Sequence, residues 1–208
     1  MSETADTTPV AQPASFAFTA ENLAKAQAHI AKYPPGRQAS AVLPLLDLAQ
    51  RQHGNWLPRA AMDCVADLLG MPRIRVYEVA TFYSMFNLRP VGRHFFQICT
   101  TTPCWLGGSD EVVAACKRKL GIDIGETTPD GQFSLTEVEC LGACVNAPII
   151  QVNDDFYEDL DGASTERLID ALKRGETPKP GSAKGRQTSA PLGGPLTLTD
   201  LSFSGGKS

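Results

Sequence analysis

No run of 18 consecutive apolar residues occurs in this 208-residue sequence, which excludes an apolar helix long enough to span a bilayer. Positive charge is not in excess either. With 19 Lys and Arg against 23 Asp and Glu, the formal charge is -4 and the pI is near 5.4. Such a balance gives no general attraction to phosphate backbones or anionic lipid and argues against nucleic-acid or membrane-surface binding, while the lack of an apolar run predicts no direct membrane insertion. The first twenty residues hold Glu3 and Asp6, reach no Lys or Arg before Lys25, and have no apolar core of signal-peptide length. They predict a cytoplasmic bacterial chain, made where thiols stay reduced. The glycine-rich cradles for dinucleotides and phosphates are missing, because no G-x-G-x-x-G follows a predicted strand and no G-x-x-x-x-G-K-[ST] occurs. No internal repeat is visible. No Ser-His-Asp or Cys-His pairing suggests a nucleophile, and His29, His53 and His94 are scattered, as surface or packing residues would be.

What is present divides into regions. Residues 1–17, rich in Thr, Ala, Pro and Ser, predict a disordered start. Residues 18–90 read as a small helical bundle of four short segments. Thr19 can cap the first, with Asn22 where a capping-box acid would sit, and Pro34, Pro35 and Gly36 stop the chain after Tyr33. The second spans about Gln38 to His53, and Pro44 within it predicts a kink or a later start. Pro58 and Gly70 bracket the third, and Pro72 opens the fourth, which continues the helical pattern to about Phe86. Leu23 and Ile30, then Val42, Leu45, Leu46 and Ala49, then Ala61, Val65 and Leu68 supply the apolar stripes.

Residues 91–175 change period. His94 to Thr100 predicts a strand leading into a Cys-bearing loop. Ser109 to Leu120 predicts a helix with Val112, Val113, Cys116 and Leu120 inward. Phe133 to Val138 and Pro148 to Val152 predict two more strands, and Ser164 to Lys173 a closing helix capped by Ser164 or Thr165. The fold class is therefore α+β, α/β-like in its second half: a helical bundle followed by a small open sheet. Residues 176–208 form a Gly/Pro-rich tail whose one apolar patch is Leu196 to Phe203.

Six cysteines in a reducing compartment suggest metal binding, catalysis or burial rather than a disulfide framework. Cys99 and Cys104 form a C-x4-C pair at the end of one predicted strand. Cys140 and Cys144 form a C-x3-C pair at the end of another. A [2Fe-2S] cluster needs four thiolates as two pairs, one per iron, which this arrangement offers. Gly142 within the second pair, and Gly107 and Gly108 after the first, allow close backbone approach and N–H groups aimed at sulfur. Structural zinc stays open, although its pairs are more often C-x2-C. Without a C-x-x-C a dithiol redox site is the weaker reading. Cys64 and Cys116 fall on apolar helix faces and predict core packing. Tyr77, Phe82, Tyr83 and Phe86 recur near helical spacing and predict core or a partner-facing surface.

The stretches Cys99-Thr-Thr-Thr-Pro-Cys104-Trp-Leu-Gly-Gly and Glu139-Cys140-Leu-Gly-Ala-Cys144-Val-Asn-Ala-Pro148, followed by Asn153-Asp-Asp-Phe-Tyr157, narrow these readings. They resemble the thioredoxin-like [2Fe-2S] ferredoxin, the 24 kDa subunit, of the NADH dehydrogenase module of respiratory complex I. Gly54-Asn-Trp56-Leu-Pro58 and Val79-Ala-Thr-Phe-Tyr83-Ser-Met-Phe86 are similar to that family's helical segment, and the likeness runs from about Phe18 to Glu176. The resemblance implies a helical bundle joined to a thioredoxin-like domain, with Cys99 and Cys104 on one iron and Cys140 and Cys144 on the other. It also implies a partner flavoprotein carrying FMN, the NADH site and a [4Fe-4S] cluster, a larger iron-sulfur subunit of the peripheral arm, and a place on the cytoplasmic side of the inner membrane. Hydride transfer moves two electrons and a [2Fe-2S] cluster takes one, so a flavin must stand between NADH and this chain. Acidic Glu137 and Glu139 beside the site would favour the oxidised form. Similar subunits serve NAD-linked hydrogenases and formate dehydrogenases, which is one rival. A zinc-binding assembly module is the other.

Overall fold

The computed structural model describes residues 10–191, 193, 194 and 197. Most of the predicted Leu196–Phe203 patch and the first nine residues of the predicted disordered start lie outside them. The chain divides into two compact units between Arg93 and His94.

The first unit is helical: α1 (Ala20–Ile30), a 3-10 turn (Gln38–Ala41), α2 (Val42–Gln52), α3 (Arg59–Leu69) and α4 (Arg73–Phe82). Thr19 caps α1, its hydroxyl accepting the Asn22 N–H at 3.2 Å. Leu23, expected inward, is exposed, and Ala26 is the buried residue of α1. The expected helix from Gln38 breaks at Val42, so Pro44 becomes the third residue of α2. There its missing N–H costs nothing, since the first four helical N–H groups have no partner within the helix. Pro58 and Pro72 stand just before α3 and α4, and Gly70 ends α3 at φ 62°, a left-handed conformation that glycine takes without a Cβ penalty. Leu45, Leu46, Leu57, Val65 and Val76 fill the core. Helix α4 stops at Phe82, short of the expected Phe86, because Tyr83 turns extended. Buried Gln50 then holds the chain beyond it, donating to the Met85 carbonyl at 3.0 Å and accepting the Asn87 N–H at 2.7 Å. The stretch 10–17, expected without structure, packs on this unit. Gln12 accepts the first N–H of α3, from Arg59, at 2.9 Å. Phe16 lies edge-on to Phe18 with centroids 5.3 Å apart.

The second unit is a five-stranded mixed sheet of β1 (His94–Cys99), β2 (Phe133–Val138), β3 (Ile150–Val152), β4 (Asp155–Glu158) and β5 (Gly181–Ser182), in the order β2-β1-β3-β4-β5. Helices α5 (Thr102–Leu106) and α6 (Ser109–Leu120) connect β1 to its parallel neighbour β2. Helix α7 (Gly162–Lys173) packs against α6. Phe96, Ile98, Leu135 and Ile150 from the strands meet Val112, Cys116 and Ile169 from the helices in one buried cluster. Each such apolar side chain contributes about 1.5–3 kcal/mol by leaving water. Three elements were not expected: α5, β4 and β5. The cap of α7 is Asp161 rather than Ser164 or Thr165, and Ser164 instead closes a reciprocal capping box with it at 2.7 and 2.8 Å.

Candidate metal centre

Cys99 is the last residue of β1 and pairs in register with Val138, the last residue of β2. Because these strands are parallel, the segments leaving them emerge at the same end of the sheet, and Cys140 follows Val138 by two residues. Strand β3 runs antiparallel to β1 and enters at that end, with Ile150 opposite Ile98. The segment before it, which carries Cys144 in a 3-10 turn (Cys144–Asn146), therefore belongs to the same edge. Topology alone thus gathers both cysteine pairs.

Cys104 lies inside α5, not in the loop expected, and that short helix folds it back under Cys99. Both are buried against Ile149, with Leu141, Ala143, Ala147 and Phe156 packed around them. The Ile149 N–H reaches the Cys104 sulfur, and its carbonyl accepts the Cys99 N–H at 3.3 Å. One backbone unit thereby ties the first pair to the strand beside it. Burial pushes the Cys99 thiol up. The Thr101 hydroxyl, 3.2 Å away, with the N–H groups of Thr101 and Leu141 and the thiol of Cys104, more than offsets this and brings it below the ordinary value. Cys104 is pushed up to about 12 by burial first, then by the neighbouring Cys99 sulfur.

The second pair is more open. Cys140 is exposed and Cys144 half-buried, with their sulfurs 3.3 Å apart. The Gly142 N–H donates to the Cys140 sulfur at 3.4 Å, from a backbone at φ 81° that favours glycine. The Cys140 sulfur raises the Cys144 thiol, burial adds to this, and the charge of Cys99 contributes as well. The charge of Cys144 in turn acts on Cys104. The two pairs are therefore within electrostatic reach of each other. Among the described residues no three His, Cys, Asp or Glu side chains converge on a single ion-sized point. The donor set present, two thiol pairs on segments at one end of the sheet, is the one a two-iron core takes, one pair per iron.

Gly107 behaves differently from expectation. It and Gly108 donate their N–H groups to the carbonyls of Pro103 and Trp105, not to sulfur. What Gly107 provides is clearance, since a Cβ there would lie 3.1 Å from Cδ of Pro148 and 3.3 Å from the Ala147 carbonyl oxygen. The end of α5 thus rests directly on the segment that follows Cys144. Glu137, expected as an acidic neighbour, is exposed and accepts a hydrogen bond from the Thr100 hydroxyl, joining the first cysteine loop to β2. Thr101 and the backbone of Ile149 and Leu141 were not singled out in the sequence. Only the Thr run after Cys99 signalled any of them. Cys116 lies in the core of α6, pushed up to about 12 by burial, and Cys64 is half-buried on α3, raised first by burial. Trp105, Leu106 and Val145, each within two residues of a site cysteine, are large apolar side chains left exposed.

A family model for thioredoxin-like [2Fe-2S] ferredoxins matches residues 26–173. An NADH-quinone oxidoreductase subunit from Rickettsia bellii is 59% identical over 159 residues, covering 76% of this chain and 95% of that protein. The mitochondrial NADH dehydrogenase [ubiquinone] flavoprotein 2 of Dictyostelium discoideum is 52% identical over 185 residues, covering 89% of this chain and 75% of that one. Among solved structures, an NAD+-reducing [NiFe]-hydrogenase in the H2-reduced state superposes with a TM-score of 0.56 at 21% identity, over 65% of this chain. This chain spans only 23% of that hydrogenase chain, so the likeness is one of fold. The paired cysteines at one sheet end, the extent of the family match and the high identity to NADH-quinone oxidoreductase subunits agree: the chain belongs to the thioredoxin-like [2Fe-2S] ferredoxin family.

Proposed function

We propose that this chain is an electron-carrying subunit of an NADH:quinone oxidoreductase. In this reading Cys99 and Cys104 hold one iron and Cys140 and Cys144 the other, and single electrons are exchanged with FMN on a partner subunit. The observation that supports the reading is that two thiol pairs lie on segments leaving or entering one end of the sheet, with Trp105, Leu106 and Val145 exposed within two residues of them. When bound, a [2Fe-2S] cluster supplies one-electron chemistry. The protein supplies position and field. The Thr101 hydroxyl and the N–H groups of Leu141, Ile149 and Gly142 aim positive dipole ends at sulfur, which favours the more negative, reduced state. Burial of Cys99 and Cys104 keeps water from one side, while exposed Cys140 leaves the other side within reach of a docked partner. An apolar rim with an aromatic residue is the surface that a protein partner covers.

In this reading the partner is a flavoprotein holding FMN, the NADH site and a [4Fe-4S] cluster, with a larger iron-sulfur subunit beyond it. No helix of the described residues is long and apolar enough to cross a membrane. In the same reading the chain takes a peripheral place on the cytoplasmic side of the inner membrane, held there by its partners. The test is anaerobic mixing of the chain with NADH, with and without the purified flavin-bearing subunit. Visible bleaching only when the flavoprotein is present supports the assignment. Direct reduction by NADH, or no reduction under either condition while dithionite bleaches the chain, contradicts it.

A further inference from the structure

The segment after α7 is not a free linker. The Tyr157 hydroxyl donates to the Pro178 carbonyl at 3.1 Å, and β5 adds parallel to β4 at Tyr157 and Glu158. Beyond β5, Arg186 turns inward. Its Nε and Nη2 meet the two carboxylate oxygens of one turn residue, Asp159, Nε at 3.1 Å from Oδ2 and Nη2 at 2.9 Å from Oδ1. The side chains of Arg186 and Asp159 are only 14% and 2% exposed, so this is a buried bidentate pair. The Ser182 hydroxyl adds a third donor to Asp159, at 2.6 Å. The Asp159 backbone sits at φ 54°, a left-handed conformation that a non-glycine residue holds only under such constraint.

What this pair braces is the second cysteine turn. The Asp159 N–H donates to the carbonyl of Asn146 at 2.6 Å. Asn146 closes the 3-10 turn begun by Cys144, is itself buried, and donates its side-chain amide to Glu158 at 2.5 Å and to the Thr188 carbonyl at 2.8 Å. The strap therefore touches the Cys144 turn directly through Thr188, and reaches it a second time by way of Asp159, which Arg186 and Ser182 hold. It lies beyond residues 26–173, the extent of the family match.

We propose that Arg186 is a positioning residue for Cys144: by pairing with Asp159 it clamps the segment 181–190 across the Cys144–Asn146 turn and fixes the open half of the thiol site. This rests on the cluster assignment made above. The test uses the full chain, reconstituted with iron and sulfide, comparing wild type with Arg186→Gln, Arg186→Lys and, as a control on an exposed Arg–Glu pair, Arg174→Gln. Arg186→Gln is expected to keep its far-UV circular dichroism and bind iron. Its reduced paramagnetic spectrum should shift, and it should lose visible absorbance to EDTA about tenfold faster. Hydrogen exchange should rise at 144–146 as well as at 181–190. Arg186→Lys, which keeps the charge but not the fork, should fall between, and Arg174→Gln should match wild type. A wild-type spectrum and bleaching rate in Arg186→Gln, with exchange raised only at 181–190, would overturn the proposal. So would unfolding of both Arg186 variants, which would make the strap part of the domain core. If the wild-type chain itself forms no [2Fe-2S] spectrum, the cluster assignment fails instead. Exchange at 144–146 then still decides whether the clamp exists.

Discussion

At the scale of single residues, the site depends on backbone clearance as much as on sulfur. Gly107 has an ordinary φ of -79°, so a side chain there is opposed by contact alone, with Pro148 and with the Ala147 and Pro103 carbonyls. Gly108 has open space around it but a φ of 97°. Gly107→Ala should therefore cost about 1–3 kcal/mol by overpacking. It should also wedge α5 from the Cys144 segment, so that reconstituted iron per chain falls. Gly108→Ala should cost about 1–2 kcal/mol through the backbone alone, with iron content kept. Chemical denaturation with parallel iron assay separates the two, and equal iron loss in both would contradict the clearance role. The cysteines themselves were readable from spacing. Their hydrogen-bond donors were not, because a backbone N–H carries no residue signature and becomes a donor to sulfur only once the turn has formed. Gly107 and Gly108 show the limit of such reading: the residue type pointed to close approach, and only the fold told which neighbour is approached.

At the scale of elements, the strong periodicities were legible and the short pieces were not. The helix Ser109–Leu120 and the strand Phe133–Val138 stand where their patterns placed them. Helix α5 has five residues and β5 two, too short for any period to register. The start of α7 was misplaced because Ser164 and Thr165 are good capping residues in their own right. Asp161 takes the role, since its carboxylate reaches the Ser164 N–H at 2.7 Å while Ser164 answers the Asp161 N–H. The Ser164 N–H first, and then the Ser164 hydroxyl at 2.7 Å from Oδ1, both donate to the Asp161 carboxylate and hold it below its ordinary value. The folded-state pKa is depressed, so the cap stabilises fully above the unfolded value and loses that contribution as pH falls through the folded one. Asp161→Ala should thus lower stability by about 1 kcal/mol at pH 7. The difference from wild type should shrink as the pH drops below about 4. Denaturation midpoints at the two pH values check this, and a difference that grows in acid would contradict the cap.

At the scale of the molecule, two features bring both cysteine-bearing segments to one end of the sheet: the parallel pairing of β1 with β2 and the antiparallel return of β3. The sequence showed strands, a crossover helix and cysteines at strand ends, enough to expect convergence. Strand order was not legible, because β1 meets β2 and β3, and β4 meets β5, through pairings far apart in the chain. The Asp159–Arg186 pair spans 27 residues and leaves no local pattern. In the bundle, the half-buried thiol of Cys64 on α3 is the single cysteine of its unit. The most direct measurement of the central assignment is electron paramagnetic resonance of the dithionite-reduced chain, with iron and acid-labile sulfide counted, for wild type, Cys140→Ser and Cys64→Ser. Wild type and Cys64→Ser should give the same signal of one reduced [2Fe-2S] cluster per chain, and Cys140→Ser should lose or distort it. A silent, zinc-containing wild type, or a signal that Cys140→Ser leaves unchanged, would contradict the assignment.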